Sequence, residues 1–279
     1  MITLRPKVDF KVPVEAPCIS PDSLAGKSRA EAAKLPVLWG NREKTLGDLF
    51  KVSAGKGAPD HVMVEGDVSV IKHIGARMTR GKLTIKGNAG MHLGREMDGG
   101  EISVSGNAGD WAGAEMGGGL IHIQGSAGDL AGSAYRGSSA GMKGGAIIVD
   151  GNAGNEVGEL IKGGNIAVKG DLGSFAGALM SGGLIACFGR IDQRTGAGMT
   201  NGTILTLNAP KMLPTFKFTR VYNPKLLRPR LEGLKKGGFP IKKVHIEGLY
   251  DRYEGDLAND GKGRIIVWKS GPPKPKKST

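Results

Sequence analysis

The chain has 279 residues, a net charge of +13 and 48 glycines, but only 5% aromatic residues. Glycine is far more frequent than the roughly 7% of an ordinary protein, which indicates either low complexity or a repeat with glycine at fixed turns. Cys18 and Cys187 lie in no zinc-binding or disulfide-framework spacing, as expected in a reducing compartment. The first residues lack the apolar segment of a signal peptide, and no run of about 18 apolar residues occurs. We therefore expect a cytoplasmic protein that does not contact a membrane.

Residues 1–46 carry a net charge of +3 and are predicted to form an N-terminal cap segment with one short helix. Ser28 and Glu31, three residues apart, match the capping box that begins a helix. Pro36 disfavours helical backbone at the residue before it, so the helix must end there at the latest.

Residues 47–208 carry a net charge of −1 and repeat the pattern GNAG followed by a paired glycine and an apolar triplet. Successive repeats start 19 residues apart, except that one step is 26 residues long because of seven extra residues around Tyr135 and Arg136. A 21-residue repeat precedes these, and a weak one starts at Gly47, which makes about eight in all. After Gly47 the repeats start at Gly66, which begins the 21-residue repeat, and then at Gly87, Gly106, Gly125, Gly151, Gly170 and Gly189.

Each repeat contains an apolar–x–apolar triplet, and this alternation predicts a β-strand whose two apolar members face the interior. The first members are Val62, Leu83, Ile102, Ile121, Ile147, Ile166, Ile185 and Ile204. The middle residues, which we expect to face outward, are Met63, Thr84, Ser103, His122, Ile148, Ala167, Ala186 and Leu205. A row of interior gap-filling methionines is predicted at Met78, Met97, Met116, Met142, Met180 and Met199, with Ile161 completing the row.

These patterns predict an all-β fold, a right-handed parallel β-helix (solenoid) of about eight 19-residue glycine-rich coils with small flanking segments. Small residues at Ala89, Ala108, Ala127 and Ala153 are expected to line a second wall. Glycines a few residues further on, such as Gly94 and Gly113, are expected where the chain needs a positive φ or a close backbone approach.

The seven-residue insertion maps to one face of such a fold, and insertions of this kind are either binding elements or tolerated surface loops. We take Tyr135 and Arg136 as candidate partner-binding or cofactor-binding residues. The five histidines occupy different positions in the repeats, so we predict no metal site. No Ser/His/Asp or Cys/His arrangement matches a catalytic motif, and no catalytic residue is predicted.

Residues 209–279 carry a net charge of +11, so nearly all the positive excess lies in the last quarter of the chain. We expect a basic C-terminal cap over 209–268, with strands at 244–250 and 264–269, and a disordered basic tail over 269–279. An anionic partner is expected at this end. The candidate contact residues there are Arg220, Lys225, Arg228 and Arg230.

The stretches ISPDSLAGKS (19–28) and WGNREKTLGDLF (39–50), together with the 19-residue repeats and their one insertion, resemble the C subunits of formylmethanofuran dehydrogenase and of the formyltransferase/hydrolase complex, which form one family. The repeats also resemble the C-terminal β-helix domain of the glutamate synthase large subunit. The resemblance implies a non-catalytic scaffold subunit of a complex in one-carbon metabolism. It implies partners that carry the active sites, namely amidohydrolase-like and formyltransferase subunits.

The resemblance further implies that the complex moves a formyl group between a methanofuran-type cofactor, which carries glutamates, and tetrahydromethanopterin. No cofactor is assigned to this chain itself, although the polyglutamate chain of the furan cofactor is a candidate ligand of its basic end. The alternative is a stand-alone solenoid that binds a polyanion or nucleic acid. Whether the complex is oxidative, with molybdenum or tungsten, or hydrolytic stays open.

Overall fold

A computed structural model describes residues 1–271 of the chain. The N-terminal elements are β1 (Ile2–Pro6), β2 (Val14–Glu15), α1 (Pro21–Leu24), α2 (Arg29–Ala33), β3 (Pro36–Trp39), β4 (Arg42–Thr45), α3 (Leu46–Leu49) and β5 (Phe50–Ala54). The repeats supply β6 (His61–Glu65), β7 (Ile71–Lys72), β8 (Lys82–Lys86), β9 (Glu101–Val104), β10 (Leu120–Ile123), β11 (Ala146–Val149), β12 (Asn165–Val168), β13 (Ser181–Cys187) and β14 (Asn201–Thr206). The C-terminal elements are β15 (Lys217–Tyr222), a 3-10 turn (Lys225–Leu227), α4 (Arg228–Lys236), α5 (Lys243–Glu247), β16 (Leu249–Gly255) and β17 (Gly263–Ser270).

The chain is mostly β, and a large, mostly parallel sheet dominates it. All eight predicted triplets lie in strands, and these strands pair in parallel in the order β6-β8-β9-β10-β11-β12-β13-β14. The pairing is in register, so that Ile102 lies opposite Ile121 and Ile121 opposite Ile147. A second parallel ladder of single bridges joins Val68, Ala89, Ala108, Ala127, Ala153, Leu172 and Ile191. The predicted strand positions and the small-residue wall are confirmed.

The interior of the repeats is filled by the residues that the alternation predicts. Both apolar members of the triplets from Val62 to Ile185 are buried, and every member of the methionine row is fully buried. Gly113 illustrates the tight corner, because its φ is +66° and an added Cβ would lie 2.5 Å from Cδ1 of Ile147. A side chain there would be strained in its backbone and would also displace the isoleucine. Glycine at this position therefore allows the large isoleucine of a later strand to be accommodated.

The asparagine of the GNAG pattern connects successive repeats through its side chain. Oδ1 of Asn88 accepts a hydrogen bond of 2.9 Å from the backbone N–H of Asn107, and Oδ1 of Asn107 accepts one of 2.8 Å from the N–H of Ser126. The row continues through Asn152 and Asp171. A short polar side chain at this corner thus satisfies backbone donors that the sheet leaves unpaired.

Both ends of the repeat sheet are extended by strands of the flanking segments. At one end β1 adds in parallel to β6, and β5 then pairs antiparallel with β1. At the other end β17 adds in parallel to β14, and β16 and β15 follow antiparallel. The weak repeat predicted from Gly47 is wrong in its first half, because residues 46–54 form α3 and β5 rather than a repeat corner.

The N-terminal segment also forms a small sheet of order β4-β3-β2-β7, which joins the repeats through the parallel pair β2 and β7. The predicted capping box is confirmed: Oγ of Ser28 accepts from the N–H of Glu31, and Oε2 of Glu31 accepts from the N–H of Ser28 at 2.8 Å. This helix, α2, ends before Pro36 as expected.

The C-terminal segment covers the outer face of the last strands, which the sequence does not predict. The middle triplet residues Ile148, Ala167, Ala186 and Leu205 lie on the outward face of their strands as expected, but all four are buried rather than exposed to solvent. They pack in a second apolar cluster with residues of the C-terminal segment, namely Leu231, Leu234, Phe239, Ile241, Ile246, Tyr250 and Ile266. The isoleucine, alanines and leucine at these positions are therefore core residues of a second layer.

Two further details differ from or extend the sequence-based expectations. The strand predicted over 244–250 is wrong in its first part, because Lys243–Glu247 form α5, with Ile246 packed in the second cluster. The strand predicted over 264–269 is confirmed within β17. Of the tail predicted over 269–279, residues 272–279 lie outside the described residues. No helix within residues 1–271 is long and apolar enough to cross a membrane.

We expect the two faces of the repeat strands to differ sharply in their tolerance of charge. Ile121 is fully buried in the repeat interior, so Ile121→Asp should lower the free energy of unfolding by several kcal/mol, about the cost of an unpaired buried charge. Ser103 is partly exposed on the other face, and Ser103→Asp should cost under about 1 kcal/mol. Urea unfolding of both variants measures this, and equal losses would contradict the assignment of the two faces.

Candidate functional site

A basic cleft forms where β15, β16 and β17 meet the 3-10 turn. Its volume is about 250 Å³, and two residues predicted from the sequence, Arg220 and Lys225, line it. Its other lining residues are Tyr222, Asn223, Pro224, Leu226, Leu227, Arg252 and Arg264. The antiparallel pairing of β15, β16 and β17 brings Arg220, Arg252 and Arg264 onto neighbouring strands, with Arg220 opposite Arg252. We call these residues the basic cleft.

The arginines of the basic cleft surround an aromatic ring. The guanidinium carbons of Arg220 and Arg252 lie 5.7 Å and 5.5 Å from the ring centroid of Tyr222, within the range of cation–π attraction. Burial raises the pKa of the Tyr222 hydroxyl, and the neighbouring arginines oppose this. The ring therefore stays neutral and holds the two cations close to each other.

The positive charge of the basic cleft is only partly neutralised. Arg252 pairs with Glu254, whereas Arg220, Lys225 and Arg264 form no ion pair within residues 1–271. The Nε atoms of Arg252 and Arg264 are buried, and each lacks a hydrogen-bond partner in the part of the chain described. A buried donor without an acceptor is unfavourable, so an anion entering the cleft would remove this cost.

The other two predicted basic residues lie beside the cleft rather than in its lining. Arg228 begins α4 and donates from a terminal nitrogen to Oδ1 of Asn223 at 2.9 Å, which fixes the cleft wall. Arg230 is exposed on the same helix. Leu226, in the 3-10 turn that lines the cleft, is 91% exposed.

The seven-residue insertion belongs to a second surface, formed by a row of stacked rings. His73 and His92 stack with centroids 4.8 Å apart, and His92 and Trp111 with centroids 5.3 Å apart. Tyr135 from the insertion completes the row 6.3 Å from Trp111, and its hydroxyl shares a 2.8 Å hydrogen bond with Nδ1 of His92. We call these four residues the aromatic ladder.

The insertion is held by hydrogen bonds from its backbone N–H groups, and the parallel pairing of the flanking strands is unbroken. The N–H of Met142 bonds to the carbonyl of Gly132 at 2.9 Å, which closes the loop, and the N–H of Tyr135 bonds to the Glu115 carboxylate at 3.0 Å. Arg95 lies 6.0 Å from the Tyr135 ring, while Arg136 is exposed beside it. The structure thus places Tyr135 in the aromatic ladder and Arg136 at its edge, apart from the residues that line the basic cleft.

The expectation that the histidines share no common position is wrong for His73 and His92. They are 19 residues apart, as are His92 and Trp111, and all three adopt a positive φ of 57–66° at the same corner. The repeat that starts at Gly66 is two residues longer than the others, and its extra residues lie before His73. Alignment of the repeats on their starting glycines therefore hides the 19-residue spacing of His73, His92 and Trp111. A search for aromatic residues at the 19-residue spacing would have found the row.

Burial lowers the pKa of both histidines of the aromatic ladder and so favours their neutral form. Burial lowers the pKa of His92 to about 4, with smaller contributions from His73, Lys72 and Arg95. Burial likewise lowers the pKa of His73. No group of three or more His, Cys, Asp or Glu side chains within residues 1–271 is arranged to hold a metal ion.

Comparison with known proteins gives matches over the repeats and over the whole chain. The sequence model of the GXGXG motif family matches residues 62–228. The C subunit of the tungsten-containing formylmethanofuran dehydrogenase 2 of Methanothermobacter marburgensis is 42% identical over 93 residues, which are 32% of this chain and 34% of that subunit. The C subunit of the formyltransferase/hydrolase complex Fhc of Methylorubrum extorquens is 35% identical over 90 residues, 32% of this chain and 33% of that subunit.

A solved structure extends the similarity to nearly all residues. A chain of the crystal structure of the formyltransferase/hydrolase complex FhcABCD from Methylorubrum extorquens in complex with methylofuran superposes with a TM-score of 0.85. It is 33% identical, and the match covers 98% of this chain and 100% of that chain. The alignments to the curated relatives, by contrast, span about a third of those relatives' length.

These matches show that the chain belongs to the GXGXG motif family. Its curated homologues are the C subunits of formylmethanofuran dehydrogenases and of the Fhc formyltransferase/hydrolase complex.

The depressed pKa of His92 predicts how the ladder responds to acid. The folded pKa of about 4 lies below the usual 6.5, so the unfolded chain binds more protons between these values and stability falls as the pH falls through that window. His92→Phe keeps a ring in the row but removes the titration. The stability of the variant should therefore fall less between pH 7 and pH 5 than that of the wild type, as measured by urea unfolding. An equal pH dependence in the two proteins would contradict the lowered pKa of His92.

Proposed function

We propose that the repeats wind into a right-handed parallel β-helix. The in-register parallel strands and the second ladder of single bridges support this, since one strand and one bridge per 19 residues describe a coil with two walls. Right-handed crossovers are the rule for parallel strands. In this proposal residues 1–46 and 209–268 are the caps of the two ends, which repeat folds require.

The function we propose is that of a non-catalytic structural subunit in a formyl-group-transferring complex, with partner subunits that hold the active sites. The observation that carries it is the similarity over nearly the whole of both chains to a chain of the formyltransferase/hydrolase complex. The lack of a catalytic motif in the sequence is consistent with such a role. The complex would use a methanofuran-type cofactor and tetrahydromethanopterin.

We propose that the basic cleft receives an acidic ligand, either a carboxylate-rich surface of a partner subunit or the glutamate chain of the furan cofactor. The cleft residues fit carboxylates, because Arg252 and Arg264 have buried Nε donors without acceptors and Arg220 and Lys225 lack ion-pair partners in the described chain. Guanidinium groups bind carboxylates through charge-assisted hydrogen bonds. The exposed Leu226 of the 3-10 turn would add an apolar contact with a partner surface.

We propose that the aromatic ladder and Arg136 form a second contact with a partner subunit. Trp, Tyr and Arg are the residue types that dominate the energetics of protein interfaces, and here the rings are already stacked against one another. A preorganised surface loses little conformational entropy when it is covered.

Charge reversal in the basic cleft tests its role directly. Arg220→Glu/Lys225→Glu should weaken assembly with the partner subunits, or raise the KM for a polyglutamylated substrate, by about tenfold or more at low salt. The reason is that the two new glutamates would neutralise the remaining arginines of the basic cleft, Arg252 and Arg264. Co-purification yield and steady-state kinetics measure the two effects.

The matched control is Lys211→Glu/Lys262→Glu, which changes the net charge equally at two positions of the same C-terminal segment outside the cleft lining. It should behave like the wild type. If the cleft variant and the control lose assembly and affinity to the same extent, only the overall charge of this end matters and the cleft is not a site.

A further inference from the structure

The hairpin of β3 and β4 in the N-terminal sheet lies beside a cleft that neither the repeats nor the C-terminal segment forms. The cleft has a volume of about 430 Å³ and is lined by Lys11, Val12, Trp39, Gly40, Asn41, Arg42 and Lys44. A hydrogen bond of 2.9 Å from the N–H of Gly40 to the carbonyl of Pro13 joins the hairpin turn to the segment before β2. The two walls of the cleft are therefore fixed relative to each other.

The cleft has an apolar floor and a basic rim. Trp39 packs partly against the main core, and Val12 beside it is 43% exposed. Lys11, Arg42 and Lys44 make no ion pair within residues 1–271. Three cations thus surround an exposed apolar patch without a compensating carboxylate.

The strand register explains why the basic side chains of β4 lie on one face of the hairpin and the carboxylate of Glu43 on the other. Arg42 pairs with Trp39 across the hairpin and Lys44 follows Arg42 by two residues, so Trp39, Arg42 and Lys44 share one face, and the side chain of Glu43 lies on the other. Glu43 lines a different depression.

After Glu43, the next acidic residue along the chain is Asp48, and its carboxylate is already engaged. The backbone N–H and the hydroxyl of Thr45 both donate to its carboxylate, and these bonds are the main cause of its lowered pKa, with a smaller contribution from Lys44. The cations of the cleft therefore remain available to an external anion.

Two kinds of hydrogen-bonding group are left unused here. The indole Nε1 of Trp39 is buried and has no partner among the described residues. In addition, β4 is the end strand of its sheet, and along its outer edge no strand of the described chain pairs with it. An exposed strand edge is a template onto which an extended peptide can add.

We propose that an acidic, extended peptide segment of another polypeptide binds along the free edge of β4. Its backbone pairs with residues 42–44, short of Thr45 because the N–H of Thr45 already donates to Asp48, its carboxylates contact Lys11, Arg42 and Lys44, and an apolar side chain rests on Val12 and Trp39. An acceptor of the peptide bonds to the indole N–H. This site is separate from the basic cleft of the C-terminal segment and does not depend on the function proposed above.

Binding of a fluorescently labelled peptide to the full chain tests the proposal by anisotropy. The probe is fluorescein-Asp-Glu-Leu-Glu-Asp-NH2, and its charge-reversed counterpart is fluorescein-Lys-Lys-Leu-Lys-Lys-NH2. We expect the acidic peptide to bind and the basic one not to bind. Arg42→Glu/Lys44→Glu should raise the Kd at least tenfold, and Arg42→Gln/Lys44→Gln should raise it by an intermediate factor.

The control variant Lys27→Glu/Arg29→Glu makes the same change in net charge at two exposed residues outside the cleft lining, and it should bind within about twofold of the wild type. Trp39→Phe, which keeps the apolar floor but removes the indole N–H, should weaken binding several-fold. Circular dichroism melts establish that each variant is folded. Equal losses in the control and in the Arg42/Lys44 variants would overturn the proposal.

A peptide N-methylated at alternate residues separates strand addition from simple anion binding, since it cannot pair with the edge of β4. We expect its Kd to be at least tenfold higher. Equal affinity of the methylated peptide, or complete displacement of the acidic peptide by 10 mM inorganic phosphate at constant ionic strength, would show an anion site only and contradict the proposal. Loss of binding in Arg220→Glu/Lys225→Glu instead would place the peptide in the basic cleft and contradict it as well.

Discussion

The contact on which the rest of the structure depends is the one between the isoleucine of one repeat and the left-handed glycine of an earlier one. Cδ1 of Ile121 and of Ile147 occupy the space that a Cβ would need at Gly94 and Gly113. This contact recurs only if every repeat returns the chain to the same register, and the hydrogen bonds between corner side chains such as Asn88 and the next repeat recur with it. The register of the strands, the burial of the isoleucines and the conformation of the corner glycines therefore depend on one another.

Such a constraint leaves little freedom inside the repeats, so the distinctive surfaces lie where the repeat is interrupted or ends. The insertion bends so that Met142 returns to Gly132, and only then can Tyr135 join the aromatic ladder without shifting the next strand. The C-terminal segment forms the basic cleft at the edge of the large sheet, and the N-terminal segment forms the hairpin of β3 and β4. The three surfaces therefore lie on different parts of the chain: the insertion, the C-terminal segment and the N-terminal hairpin.

The repeat region can be predicted almost residue by residue, because period-two alternation within strands and the 19-residue spacing between them act locally. What the sequence does not show is the second layer. Ile148 and Leu205 at outward positions are its signal, since apolar residues there are unfavourable unless something covers them, but the covering helix α4 lies many residues away from Ile148 in the chain. The candidate residues Arg220 and Lys225 follow from charge alone, whereas Arg252 and Arg264 emerge only from the strand pairing.

The same distinction explains the aromatic ladder. Tyr135 stands out in the sequence because it lies in an insertion, but the two extra residues of the repeat that starts at Gly66 obscure the spacing of His73 and His92. Stacking between repeats depends on three-dimensional register rather than on position after the starting glycine. The sequence patterns identify the residue types, but they do not show which residues distant in the chain come to lie side by side.

The decisive experiment is purification of the chain from its native host through an affinity tag, with the partners identified by native mass spectrometry. We expect discrete partner subunits, among them a formyltransferase and an amidohydrolase-like subunit, and formyl transfer by the assembly but not by the chain alone. A chain that purifies without protein partners and with bound nucleic acid, or that turns over a formylated furan cofactor by itself when metals are supplied, would contradict the proposed role.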